Sequence, residues 1–75
     1  MVIMDNIRYE GDTIVMCCYP EGDVKKKREL VLDAKTYAII SPDNIDFYLI
    51  MARRRIIKVL NSGQTLPKKE MSIWY

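Results

Sequence analysis

Seventy-five residues with a net charge of +2, no histidine and two adjacent cysteines leave few routes to catalysis or metal binding. A chain of this length is a single domain that buries only about 60% of its unfolded surface, so a disulfide, a metal or association usually supplements its core. Cys17 and Cys18 do not supply the first two. A bridge between neighbours is strained, a strand points them to opposite faces, and no histidine accompanies them.

The charge is uneven. Residues 1–24 carry five acids against Arg8 alone, a balance of −4, whereas residues 25–75 carry eleven Lys and Arg against five acids, a balance of +6. Such a division can orient a partner or a second copy of the chain. No basic segment followed by an apolar run opens the sequence, and no apolar stretch approaches the roughly 18 residues of a membrane span. With thiols that look unbridged, the expectation is a cytoplasmic protein that does not enter a membrane.

In chain order, residues 2–4 read as a short strand. Residues 7–19 read as a β-hairpin turning at Glu10-Gly11-Asp12, with a second strand rich in β-branched and aromatic residues. In that strand Ile14, Met16 and Cys18 share one face and Val15, Cys17 and Tyr19 the other. Both faces are apolar, as in a central strand covered on both sides, so a second covering body is expected. Pro20-Glu21-Gly22-Asp23 is a further turn, residues 29–32 a strand, and Asp33-Ala34-Lys35-Thr36 a third turn with Asp in its favoured first place. Residues 37–40 follow as a strand; the rival reading makes 33–40 a short helix capped by Asp33.

Residues 42–61 form the one long helix. Ser41 suits the N-cap and Pro42 the first helical position, Asp43 and Asp46 suit the positive end of the dipole, and Asn61-Ser62-Gly63 supplies the stop. At 100° per residue, Ile45, Tyr48, Leu49, Ala52, Ile56, Val59 and Leu60 make a stripe that packs on the sheet. Residues 62–69 are loop. Residues 71–75, Met-Ser-Ile-Trp-Tyr, are too bulky for a free tail and are expected to dock as a final strand or to meet a partner. Short turns cannot carry parallel crossovers, so the fold class is α+β: an antiparallel sheet of four to five strands with the helix on one face.

Several constellations invite functional readings. The Glu-Gly-Asp triplets at 10–12 and 21–23 suggest a cation site, but a strand of about 23 Å separates them, and they read as turns. The vicinal thiols lack the two-residue spacing of a redox pair, and no base stands ready for a nucleophile, so no enzyme, cofactor or metal is expected. No glycine-rich phosphate loop supports a small ligand, for instance a nucleotide held between protomers.

Two readings remain. Phe47, Ile50 and Ile57 fall on the helix side away from the sheet, beside Arg54 and Lys58, as an apolar group with a basic rim. This points to a small non-enzymatic interaction protein, of inhibitor or adaptor type, binding a second copy of itself or a larger protein. The alternative is nucleic-acid binding through Lys25, Lys26, Lys27, Arg28, Arg53 and Arg54, although no aromatics interleave with these charges. Usage of Ile, Lys, Asn and Tyr suits an AT-rich bacterium, phage or mobile element, and no family signature is recognised.

Overall fold

Three tight turns and two shifts of register, one in β1 and one between β3 and β4, lay the chain down as a sheet. The computed structural model describes residues 1–74; Tyr75, the last residue of the expected terminal strand, lies outside them. β1 (Val2–Glu10), β2 (Thr13–Pro20), β3 (Arg28–Asp33) and β4 (Ile39–Ser41) are followed by α1 (Phe47–Asn61) and β5 (Glu70–Ser72). The strands form one antiparallel sheet in the order β4-β3-β2-β1-β5. The fold is α+β, with five strands and one helix packed against them.

The first hairpin turns at Glu10–Thr13, where the Thr13 hydroxyl donates to the Glu10 carbonyl at 2.7 Å and Gly11 takes a φ of +57°. Asp33 starts the third turn by accepting from the Lys35 and Thr36 amides at 2.8 and 2.9 Å. That is the Asp-led turn expected from sequence, so the short helix over 33–40 does not form. The strand expected over 37–40 forms as β4 over Ile39–Ser41, because Tyr37 itself lies in the turn with φ +63°.

Residues 2–10 make one strand rather than a short strand followed by half a hairpin. Asn6 and Ile7 together face Met16, a β-bulge, with Asn6 at φ +50°. Asparagine tolerates that left-handed conformation. The bulge amide of Ile7 is not orphaned, since it donates to the Lys68 carbonyl at 3.2 Å. The extra residue also changes the parity of the strand, so Val2 and Met4 before it and Ile7 after it all point to the helix side and are buried.

Ile14, Met16 and Cys18 of β2 and Leu30 and Leu32 of β3 complete that side of the sheet, fully buried beneath Leu49, Ala52 and Ile56 of α1. At about 25 cal/mol per Å² of apolar surface, these side chains carry most of the stability of so small a domain. The opposite face has no helix over it. Val15 and Cys17 are nevertheless only 5% and 7% exposed. Val15 lies between Arg8 and Val31 across the ladder, and Cys17 between Asp5 and Glu29. Those neighbours' side chains cover them. The second covering body expected from the two-sided strand is therefore not required at these two positions.

The helix starts five residues later than its expected first residue at 42. Ser41 is the last residue of β4, paired with Val31, and the peptide before Pro42 is cis. Asp46 is the N-cap, accepting from the Leu49 amide at 3.0 Å. The Asp46 cap is also tied to the sheet: Arg28, at the start of β3, donates to the Asp46 carboxylate at 2.9 Å and to the Asn44 carbonyl. Residues 42–46 thus climb from the sheet edge to the top of the helix. Ile45, assigned above to the buried stripe, lies in this ascent and is exposed.

Candidate interaction surface

The helix has two unlike sides. Inward, Leu49, Ala52, Ile56 and Val59 are buried, and Tyr48 and Leu60 are partly covered, as the period predicts. Outward, Phe47 is 55% and Ile50 48% exposed. Ile57 continues the line in a half-buried position, with Arg54 and Lys58 exposed beside it. The five residues named from sequence thus share one face of α1, spaced three, four, three and one residues apart.

The C-terminal segment supports the first of them. Trp74 meets the Phe47 ring edge-on at 5.3 Å and an interplanar angle of 75°, and its centroid lies 5.8 Å from that of Tyr48. Such aromatic pairs add to stability beyond the area they bury. Phe47 is therefore a seated ring with one face to water. The bulk of residues 71–75 signalled that the segment docks; its meeting with Phe47 has no signature in sequence.

Between α1 and β5 runs a cleft of about 240 Å³ lined by Met51, Arg54, Arg55, Lys58, Ser72 and Ile73. Arg55 is held there by Glu70 of β5 at 3.0 Å. Arg54 and Lys58 enter no ion pair among the described residues. β5 is the edge of the sheet, and its Met71 and the following Ile73 are 45% and 55% exposed. Both belong to the segment expected from sequence to dock as a strand or to meet a partner; the cleft beside them has no signature in sequence.

The basic set divides. Lys25 and Lys26 form a single 3-10 turn between β2 and β3, and both are exposed, as is Lys27. Arg28 ties β3 to the helix cap, as described above. The Arg53 guanidinium donates to the Tyr37 carbonyl at 2.6 Å, pinning the helix to the β3–β4 turn. Of the six candidate phosphate contacts, these two arginines are committed to holding the fold. Arg54 is the eighth residue of α1, about 10 Å along the axis from its start. The lysines belong to the end of the sheet where Arg28 meets the helix cap.

The titratable groups show no catalytic arrangement. Cys17 and Cys18 are free and point to opposite faces of β2. Burial, reinforced by Cys17, pushes the Cys18 thiol from its ordinary 9.0 up to about 12, the opposite of an activated thiol. Desolvation and the Asp5 carboxylate raise the Tyr19 phenol. The amides of Thr36 and Lys35 hold the Asp33 carboxyl below its usual range. The two Glu-Gly-Asp turns stand at opposite ends of β2. No three His, Cys, Asp or Glu residues come together as a metal site among the described residues, and no described helix is long and apolar enough to cross a membrane. No protein-family model, curated protein or solved structure matches this chain.

Proposed function

We propose that this is a small, non-enzymatic interaction protein whose contact surface is the outer side of α1, with Phe47, Ile50 and Ile57 as its apolar centre and Arg54 and Lys58 as its rim. One observation carries the reading: Phe47 and Ile50, one turn apart, stay half exposed although the helix already buries a complete stripe on its other side. A helix gains nothing in its own fold from such a second group, whereas an interface core is built of aromatic and aliphatic side chains inside a charged border. A second copy of the chain is the first occupant to test, because the acidic N-terminal third and the basic remainder complement each other. The free thiols fit a reducing, cytoplasmic setting.

The test is the Ile50→Asp, Ile57→Asp double variant, compared with the unaltered chain by size-exclusion chromatography with light scattering at low and physiological salt. The unaltered chain should associate and the variant should run as a monomer with an unchanged circular-dichroism spectrum. A strictly monomeric unaltered chain that recovers no partner protein would defeat the reading. Binding to nucleic acid that collapses as salt rises would transfer the function to Lys25–Lys27 and Arg54, since phosphate contacts are lost with salt and apolar ones are not.

A further inference from the structure

The cleft between α1 and β5 shares Arg54 and Lys58 with the helix stripe and adds an open strand edge. β5 is an edge strand, so one row of its amide and carbonyl groups pairs with β1 while the other faces outward. Its side chains alternate. Ser72 and Glu70 pair with Val2 and Met4, placing them on the helix side, and Met71 pairs with Ile3 on the open side. Above the helix-side row stand Arg54, Arg55 and Lys58, whose only carboxylate among the described residues is Glu70, on Arg55. Beside the open-side row Met71 is left uncovered.

The geometry points to β5 and this cleft as a docking site for an extended segment of another protein, added to the sheet as a sixth strand, with acidic and apolar residues in strict alternation. Each part of that chemistry follows from position. A strand beside β5 directs alternate side chains to opposite faces. Those on the helix side enter the cleft, where Arg54 and Lys58, without an ion pair among the described residues, offer positive charge to carboxylates. Those on the other side lie against Met71, which calls for Val or Ile. Backbone pairing gives attachment, and the alternate pockets give selectivity, as in other strand-addition complexes. A basic segment would set like charges against Arg54, Arg55 and Lys58, and a polar one would leave Met71 bare. The inference extends the function proposed above, since Arg54 and Lys58 serve both surfaces, yet the two can fail separately.

The probe is a blocked, dye-labelled hexapeptide, Val-Glu-Val-Glu-Val-Glu, with the block isomer Val-Val-Val-Glu-Glu-Glu as its equal in charge and composition. Binding is followed by fluorescence anisotropy, and the site by ¹⁵N–¹H correlation spectra of the protein. The alternating peptide should bind at least about fivefold more tightly than the block isomer and shift the amides of residues 70–73. Arg54→Glu with Lys58→Glu should weaken it by about tenfold or more; the neutral pair Arg54→Gln with Lys58→Gln, gentler on the helix, should show a smaller loss in the same direction. The Ile50→Asp, Ile57→Asp variant should still bind, which separates this site from the outer stripe. Equal binding of the two isomers, shifts that avoid β5, or no saturable binding would each overturn the inference.

Discussion

The two faces of β2 are both apolar and are buried by different means. On one, Ile14, Met16 and Cys18 lie under a helix; on the other, Val15 and Cys17 lie under the long side chains of the adjoining strands, with no element above them. A helical lid leaves a core little room to collapse around a deletion, whereas neighbouring side chains with no element above them can close over one. The comparison also tells against treating every two-sided strand as evidence of a missing partner. The case for association here rests on α1, where Phe47 and Ile50 stay about half exposed even though Trp74 packs against Phe47.

The largest effect should come from cutting under the lid. Met16→Ala is expected to cost about 2–5 kcal/mol in urea unfolding, because the helix and sheet around it are held too firmly to fill the space. Val15→Ala on the open face should cost about 1.5 kcal/mol or less, close to the transfer value alone. Equal losses would mean that the open face is packed as tightly as the covered one.

Alkali provides the next contrast. Cys18 keeps its proton in the folded state to about pH 12, whereas in the unfolded chain it releases it near 9.0. Its contribution is therefore complete below pH 9 and is lost as pH rises between those values, amounting to about 2 kcal/mol at about pH 10.5. Subtracting the pH profile of Cys18→Ala from that of the unaltered chain should isolate this fall, and parallel profiles would contradict the burial of the thiol.

The smallest effect concerns the cap that joins helix to sheet. Asp46→Ala removes the acceptor of the Leu49 amide and the partner of Arg28, and should cost about 1–2 kcal/mol. The loss should appear as faster amide exchange in the first turn of α1, with the hairpin unaffected. Protection unchanged at Leu49 would show that Arg28 and the Asn44 carbonyl suffice to fix the helix start.

Much of the framework was legible in sequence because its signals are local. Turns announced by Gly11 and Asp33, the body of the helix from Tyr48 to Leu60 and the docking of the last residues all follow from propensity, period or bulk. What escaped depends on residues far apart in the chain. Ser41 was the cap legible in sequence, whereas the one used, Asp46, is bound by Arg28, 18 residues upstream. The bulge at Asn6 resembles the end of a strand until Met16 is set opposite it. The cover over Val15 exists only once the register brings Arg8 and Val31 alongside. In the candidate site the outer stripe was readable from the helical period, while the Trp74 ring behind Phe47 and the cleft beside β5 were not, since they arise from where the chain returns.

A single rod is too narrow to roof five strands evenly. At about 4.8 Å between neighbours, the outermost strands stand roughly 19 Å apart, nearly twice the width of a helix of about 10 Å. A level sheet would leave a bare margin along each side. Here the helix lies toward β5, β1 and β2 rather than centred over the whole sheet. That offset is how Ser72, on an outermost strand, comes to be buried, and how Glu70 beside it comes within reach of Arg55.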